Sequence, residues 1–239
     1  MMDKTYLAGL GFNFDETWYM ADGLTRPFLR AENVAIITNA HQLQLMGANL
    51  GATYSLSKDI DLSELKDASG MWNTATGFAP VGSGGTPFTG VLKGYGYTID
   101  GLTVNNTGLA AAGLFGYLKD AVITDVNLSN ATIVAESGSF AGGLAGENDG
   151  GIISNVYFSG TVETSGTAGG LVGLNAGSIS DSRNAGTVSA GGADSVAGGV
   201  AGSNTGTISD SYNAGTVTGS GAGALVGGIA GTNAGSIAR

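Results

Sequence analysis

The chain has 239 residues with a formal net charge of −10, and it contains 44 glycines, 12% charged residues and no cysteine. The missing cysteines exclude disulfides and thiolate metal sites, and an acidic chain without a basic patch is a poor partner for nucleic acid or anionic lipid. No sufficiently long apolar run is present, so we expect no membrane-spanning helix and no membrane insertion.

Residues 1–32 are interpreted as an N-terminal segment outside the repeats. We expect Trp18, Phe28 and Leu29 to form an apolar plug; the alternative is an aromatic platform for sugar. The first residues are followed by Gly, Asn, Asp and Glu rather than by an apolar stretch, so the sequence predicts no signal peptide here. If the protein is exported, we expect its export signals to lie elsewhere in a longer parent chain.

The region 33–87 is predicted to begin with a short helix over residues 38–50. Thr38 or Asn39 would supply its N-cap. Its apolar face carries residues at positions i, i+3 and i+7, namely Leu43, Met46 and Leu50. Because the end of a solenoid exposes unpaired strand edges that recruit other chains, we expect this helix to cap the first coil.

The rest of this region is predicted to be one strand followed by a long loop. The strand would carry four apolar residues, Tyr54, Leu56, Ile60 and Leu62. The loop would run from Ser63 to Ser83, a length that is usually functional or packs its own side chains. We expect Trp72 in this loop to pack over the flank of the coils, and ligand stacking is the alternative.

Residues 88–239 are predicted to form the solenoid itself, with a last repeat that is truncated after Ile237. Near its start, Leu114-Phe115-Gly116 is an early, bulkier version of the Gly-Gly motif that recurs further along. Two apolar trios match at a step of 24 positions, namely Ile99, Leu102 and Val104 with Ile123, Val126 and Leu128. Because this step is shorter than the repeat that follows, the sequence predicts coils that widen toward the C-terminus.

From Phe140 onward, Gly-Gly-aliphatic-small-Gly returns four times at steps of 27, 29 and 29 positions, beginning at Gly142, Gly169, Gly198 and Gly227. A period of this length indicates a repeat architecture. Aliphatic residues recur with it in three columns: Leu144, Leu171, Val200 and Ile229; Ile153, Ile179 and Ile208; Val162, Val188 and Val217. Because no single repeat can bury its apolar face, we predict an all-β, right-handed parallel β-helix (β-solenoid) with about three short strands per coil.

The corners between the predicted strands differ in kind. Two Asn-x-Gly series predict fixed turns, because Asn and Gly adopt positive φ most readily; their asparagines are Asn175, Asn204 and Asn233, and Asn184 and Asn213. The difference in coil length falls after Gly-Thr-Val, in Glu163 to Ala168, Ser189 to Ala197 and Thr218 to Val226. We expect this corner to be a loop of variable length and, with the Ser63 to Ser83 loop, a candidate contact surface.

One column of polar residues is the first candidate for catalysis or metal binding. Asp125, Asn155, Asp181 and Asp210 each follow a repeated isoleucine by two residues. Asp181 and Asp210 could form a glycoside-cleaving carboxylate pair or a Ca²⁺ site, but the simpler interpretation is a polar turn. His41, without a His-Glu-x-x-His sequence, is interpreted as a helix-surface residue. We therefore predict no catalytic, cofactor-binding or metal-binding residues and no cofactor.

Two ladders of residues are candidate surfaces. Thr161, Thr187 and Thr216 begin Thr-x-Glu, Thr-x-Ser and Thr-x-Thr on successive coils, and such outward ladders make ice binding a third candidate function. The second ladder would form a flat apolar stripe if it pointed outward, and it contains Ala141, Ala168, Ala197 and Val226 with Ala145, Val172, Ala201 and Ala230. The alternative is that a loop or the N-terminal segment covers it.

The repeated Gly-Gly core resembles the GLUG motif of bacterial surface proteins. Upstream segments are similar to filamentous-haemagglutinin-type exoproteins of Gram-negative bacteria, namely Asn39 to Met46, Tyr54 to Leu62, Gly77 to Gly82 and Phe88 to Gly90. Residues 1–32 resemble the tail of a preceding repeat unit in such proteins. These resemblances imply a long secreted β-helical adhesin. GLUG repeats also occur in some bacterial immunoglobulin A-specific zinc metallopeptidases, so the motif by itself implies no activity.

The sequence therefore predicts a non-enzymatic structural and binding region of a secreted or surface-attached bacterial adhesin. The expected partners are a host-cell or matrix glycan or protein, with end-to-end or lateral self-association. Other parts of the parent protein would attach it to the outer membrane. The rival function is a glycan-active enzyme on the same scaffold, which would be recognised by a groove with convergent carboxylates.

Overall fold

The computed structural model describes residues 3–105, 108–136 and 138–239, so Met1 and Met2 of the predicted N-terminal segment lie outside the described residues. Strands of successive coils pair in parallel, and the chain forms a β-solenoid of about five coils. The predicted fold class, an all-β solenoid with a short N-terminal helix, is confirmed. The solenoid sheets also contain strands from the region 33–87, so they extend upstream of residue 88.

Four long sheets run along the described part of the solenoid, and we name them A to D in the order in which a coil visits them. Sheet A contains Ala111–Ala112, Phe140–Gly142, Thr167–Gly169, Val196–Gly198 and Leu225–Gly227. Sheet B contains Phe115–Lys119, Ala145–Asp149, Val172–Asn175, Ala201–Asn204 and Ala230–Asn233. Sheet C contains Ile36–Ile37, Thr53–Leu56, Val91–Lys93, Val122–Thr124, Ile152–Ser154, Ser178–Ser180, Thr207–Ser209 and Ser236–Ala238. Sheet D contains Ile60–Asp61, Thr98–Asp100, Thr103–Asn105, Asn127–Ala135, Tyr157–Thr164, Arg183–Asn184, Thr187–Ala190, Tyr212–Asn213 and Thr216–Gly219.

A coil visits four sheets because the chain turns sharply at each Gly-Gly motif, between sheets A and B. A Cβ on Gly142 would lie 2.7 Å from the Cα of Val172 in sheet B. A Cβ on Gly173, the last glycine of its motif, would lie 2.7 Å from the backbone nitrogen of Ala141 in sheet A. Sheets A and B therefore pack against each other at a distance that only glycine allows at these positions.

The three predicted aliphatic columns lie in the interior. Strand pairing places Ile179 between Ile153 and Ile208, and Val162 opposite Val188. These five side chains are at most 1% exposed. Burying a side chain of this size contributes roughly 1.5–3 kcal/mol, so the repeated columns account for much of the stability of the stacked coils.

The corner between sheets D and A varies in length, as predicted. In one coil the strand of sheet D ends at Thr164 and sheet A resumes at Thr167. In the next coil the corresponding positions are Ala190 and Val196. The other corners of these two coils keep their strands in register, so the extra residues form a longer loop at this corner alone.

The predicted widening of the coils along the chain is wrong. Ile99 pairs with Leu128 in sheet D, whereas Ile123 belongs to sheet C and pairs with Leu92. Phe115 of the early motif pairs with Ala145, so this coil is already as long as those that follow it. The two apolar trios could be matched in sequence because both contain inward residues, although these lie in different sheets.

The N-terminal helix is shorter than predicted and is part of the core. Helix α1 is Lys4–Gly9, helix α2 is Ala40–Gln44, and short 3-10 helices span Arg30–Glu32, Leu45–Ala48 and Ser63–Lys66. Asn39 is the N-cap of α2, since its side chain accepts a hydrogen bond of 2.9 Å from the backbone N–H of Gln42. Leu43 and Met46 are fully buried. The single strand predicted after this helix is wrong, because Tyr54 lies in sheet C and Ile60 in sheet D.

The predicted packing of Trp72 is confirmed. Its side chain is 2% exposed, and its indole N–H donates a hydrogen bond of 2.8 Å to Oε1 of Gln44 on α2. Phe28, in an antiparallel pair of strands formed by Trp18–Tyr19 and Phe28–Leu29, packs beside it. The predicted plug is only partly correct, because Trp18 packs in a separate small cluster and Leu29 is 40% exposed.

Candidate functional site

The column predicted as a candidate catalytic or metal site forms a corner of the solenoid. Asp125, Asn155, Asp181 and Asp210 have φ angles of 57°, 52°, 50° and 45°, the left-handed region that Asp and Asn adopt more readily than most residues. They turn the chain from sheet C into sheet D, which confirms the interpretation as a polar turn. Within the described ranges, no group of three His, Cys, Asp or Glu side chains is arranged to hold a metal ion.

The asparagines of the Asn-x-Gly series point inward and form hydrogen-bonded ladders through the core. Nδ2 of Asn148 donates to Oδ1 of Asn175, Asn175 to Asn204, and Asn204 to Asn233, at 2.7–2.8 Å. Asn184 donates in the same way to Asn213 at 2.8 Å. None of these asparagines has a positive φ, so the predicted backbone reason for the turns is wrong. Their side chains instead form hydrogen bonds with backbone groups of the corners, as between Oδ1 of Asn184 and the N–H of Gly186.

His41 lies on α2 between two carboxylates. Its Nε2 is 3.3 Å from Glu64 and its Nδ1 is 3.8 Å from Glu32, and its side chain is 34% exposed. The rings of Phe28 and Trp72 pack at 5.4 and 5.5 Å from its own ring. Each ring nitrogen faces a different carboxylate, so His41 connects α2 with the 3-10 helices that contain Glu32 and Glu64.

The predicted apolar stripe is wrong, because its members are buried. Ala141, Ala168, Ala145 and Val172 are 0% exposed. The packing of sheets A and B against each other covers them, rather than a loop or the N-terminal segment. In the last described coil, the equivalent residue Val226 is 49% exposed.

The outward face of sheet D carries a regular column of side chains. Strand pairing stacks five threonines in one column: Thr103, Thr132, Thr161, Thr187 and Thr216. The next outward column is mixed, with Val134, Glu163, Ser189 and Thr218 in register. The threonine ladder is thus longer than predicted, but a regular two-threonine array is absent from the described residues.

A second column on the same face contains an arginine between two tyrosines. Arg183 is in register with Tyr157 on one side and Tyr212 on the other. Its guanidinium carbon lies 5.2 Å from the ring centre of Tyr157 and 5.5 Å from that of Tyr212. This cation–π stack was not predicted. Its three residues recur at the repeat period, but they are of different types, so no repeated residue marks the column in the sequence.

A groove of about 280 Å³ lies at the N-terminal end of sheets A and B. Its walls include Leu24, Pro80 and Phe140, and its polar side chains include Tyr117 and Glu147. Burial raises the pKa of the Glu147 carboxyl above its usual value, while the hydrogen bond from Tyr117 opposes this effect. Burial and the nearby Glu147 carboxylate also raise the pKa of Tyr117. Among the residues that line this groove, Glu147 is the one carboxylate.

The regular coils and the glycine corners define a β-solenoid, and one of its segments matches a known motif. Residues 138–163 match the GLUG motif, which confirms that part of the resemblance. Within the described residues, no helix has the length and apolar character that crossing a membrane requires. The likeness to filamentous haemagglutinins stays a prediction.

Two proteins are similar in sequence to about half of this chain. Halomucin of Haloquadratum walsbyi is 38% identical over 125 residues, which cover 51% of this chain and 1% of halomucin. A protein of Evansella cellulosilytica described as "Putative Gly-rich membrane protein" is 33% identical over 129 residues, which cover 52% of this chain and 14% of that protein. The motif and these relatives suggest a region of a surface or secreted protein.

One solved structure has the same fold. The crystal structure of a "putative immunoglobulin A1 protease" from Bacteroides ovatus superposes with a TM-score of 0.67 and 25% identity. The match covers 84% of this chain and 62% of the solved chain. The chain thus spans less than two thirds of the length of each of these three proteins.

Proposed function

We propose that this chain is a non-enzymatic, load-bearing and binding region of a bacterial adhesin that is secreted or attached to the cell surface. The observation that carries the proposal is the outward face of sheet D, where strand pairing holds hydroxyl and aromatic side chains in straight columns. The threonine column offers the same hydroxyl contact on successive coils, so weak contacts add through avidity. Attachment to the outer membrane would come from other parts of the parent protein.

Three further features support this proposal. The core columns continue without interruption from coil to coil, which suits a stiff spacer. The corner between sheets D and A changes length while the sheets keep their register, so it tolerates insertions that present new contacts. The two sequence relatives are named as a halomucin and a Gly-rich membrane protein, and neither name states a reaction.

The rival function, a glycan-active enzyme, would be centred on the groove that contains Glu147. Hydrolysis of a glycosidic bond ordinarily needs two carboxyl groups about 5–9.5 Å apart, and one carboxylate lines this groove. The corner residues Asp181 and Asp210 lie on another part of the coil, between sheets C and D.

The test is a binding assay and a turnover assay on the same purified chain. We expect the chain, displayed in many copies on beads, to adhere to cells or matrix-coated surfaces, and to release no reducing sugar from a panel of polysaccharides. Turnover that disappears in Glu147→Gln, but persists in Asp181→Asn, would contradict the proposal and establish the enzyme. Beads that adhere no better than beads coated with an unrelated acidic protein would also contradict it.

A further inference from the structure

The arginine of the outward column on sheet D has no anionic partner in the described part of this chain. It is the one lysine, arginine or histidine between Lys119 and Arg239, in a chain with a net charge of −10. Lys119, by comparison, forms an ion pair of 2.8 Å with Asp149. Within the described residues, no carboxylate lies within ion-pair distance of Arg183.

The same side chain also has an unused hydrogen-bond donor. Nε of Arg183 is buried and has no partner among the residues that the structure describes. Because this nitrogen is buried, a ligand that arrives from solvent would meet the outer end of the guanidinium rather than Nε. The two tyrosine rings hold the guanidinium in place, which reduces the entropy lost when a ligand binds it.

The surface beside this column leaves room for a small ring. Between the arginine column and the threonine ladder, the residues that are not buried include the small Ser159, Ala185 and Ala214. The intervening Phe158 and Asn184 are buried. The threonines at the far side are exposed on the same coils, at Thr161, Thr187 and Thr216. A ligand lying here would meet a cation and two aromatic rings on one side and hydroxyl groups on the other.

We propose that this surface binds a sugar unit that carries one carboxylate, with the Arg183 guanidinium pairing the carboxylate and the threonine hydroxyls bonding the sugar. The planar guanidinium matches a carboxylate in a two-bond geometry. The tyrosines supply the apolar ring contact that sugars need. A single carboxylate is favoured over a polyanion, because an acidic chain repels a densely charged glycan. This inference rests on the proposed function and names a ligand class for it.

The experiment measures ligand binding to the whole purified chain by saturation-transfer NMR and titration. The probes are sialyllactose and a disaccharide that ends in glucuronic acid, with lactose as the neutral comparison and heparin as the polyanion. We expect one of the two carboxylated probes to bind at least about tenfold more tightly than lactose. The comparison of the two probes shows whether the carboxylate belongs to a sialic or a uronic acid.

Variants assign the site. Arg183→Gln should remove the preference for the carboxylated probe, while Lys119→Gln, which removes an exposed cation from sheet B, should leave it unchanged. Arg183→Lys keeps the charge but loses the planar guanidinium, so we expect a severalfold weaker preference for the carboxylated probe. This variant replaces Arg183→Gln in the test if Arg183→Gln does not fold. A wild-type chain without the preference, or a preference that survives Arg183→Gln, would overturn the inference.

Adhesion assays separate this inference from the proposed function. If beads adhere to cells but the wild-type chain shows no preference for either carboxylated probe, the chain is an adhesin and the carboxylate site is wrong. If the wild-type chain binds the carboxylated probe but its beads adhere to no surface, the site is correct and the adhesin function is wrong.

Discussion

The buried asparagines show how a polar side chain is accommodated in this core. Asn175 is fully buried, yet its amide donates to Asn204 and its oxygen accepts from Asn148. The oxygen also accepts from the backbone N–H of Gly177 at 3.3 Å. Each amide in the middle of the ladder therefore has partners above and below, which avoids the cost of an unpaired buried polar group.

Replacing an amide inside this ladder should cost more than replacing the one at its start. Asn175→Leu would break the ladder bonds to both Asn148 and Asn204, and would leave Nδ2 of Asn148 without its ladder acceptor. We expect a loss of about 2–4 kcal/mol in the free energy of unfolding. Asn148→Leu removes one ladder bond. The new leucine would lie next to Leu118, which occupies the same column in the preceding coil. Oδ1 of Asn148 has no hydrogen-bond partner to lose in the described chain. Its cost should be about 1 kcal/mol. Equal losses in urea titrations would show that a position inside the ladder costs no more than the position at its start.

At the scale of the elements, the Gly-Gly corner depends on space rather than on unusual backbone angles. A Cβ on the second glycine of a motif, Gly170, would lie 2.5 Å from Cγ of Asn184. At the equivalent glycine of the last coil, Gly228, a Cβ would meet no described atom within 4 Å. The same sequence position is therefore sterically closed in one coil and open in another.

This pair of glycines gives a matched test of the corner. Gly170→Ala should destabilise the chain by about 2 kcal/mol or more, because the methyl group displaces Asn184 or the neighbouring backbone. Gly228→Ala should change stability by no more than about 0.5 kcal/mol. Denaturant midpoints measured for both variants give the comparison, and a tolerated alanine at 170 would show that the corner can relax.

The segment around α2 should protect the N-terminal end of the solenoid. Removing residues 33–51 takes away the buried Leu43, Leu45 and Met46 and uncovers the strand edge of Thr53–Leu56. Open strand edges pair with other chains, so we expect the shortened protein to aggregate. Light scattering and circular dichroism provide the measurement. A monodisperse shortened protein with an unchanged spectrum would show that this segment is not a cap.

The repeated elements could be predicted from the sequence, but the pairing of the strands in the first coils could not. Ile153, Ile179 and Ile208 could be aligned because one residue type recurs at one period beside a fixed glycine motif. Ile99 could not be aligned, because Ile123 and Leu128 are equally apolar and only strand pairing selects Leu128.

Polar side chains were predicted less well than apolar ones. The Asn-x-Gly pattern predicts Asn175 as a turn residue. Its burial depends on hydrogen bonds to asparagines of the neighbouring coils, which the pattern does not contain. Arg183 was not predicted as a site residue for a related reason. Its surroundings, Tyr157 and Tyr212, lie one coil away along the chain in either direction.

At the scale of the whole molecule, the two ends of the solenoid differ. Helix α2 and the following loop pack over the N-terminal end, while the last coil exposes Leu225, Val226 and Ile237 by 44–49%. Its strands also present backbone groups that no further coil pairs in the described chain. Apolar side chains beside an open edge favour association with another molecule.

We therefore expect the purified chain to self-associate through its last coil. Ile237→Lys should reduce this association, because a charge at an open edge blocks strand pairing. Ile152→Lys is the control, since Ile152 is 51% exposed but lies on the side of a middle coil. Sedimentation at several concentrations gives the measurement, and equal association of both variants would place the contact elsewhere.

The stacking of coils also determines how the molecule responds to a pulling force. Each boundary between coils is made of the same parallel pairings, so a load along the axis should break one boundary at a time. A single coil that is pulled out extends by about 100 Å, against a stacked height of about 4.8 Å. A protein that tethers a cell through this region would lengthen in steps under flow, and single-molecule stretching should record a regular series of force peaks. The asparagine ladders, which cross every boundary between Asn148 and Asn233, would set part of the height of each peak.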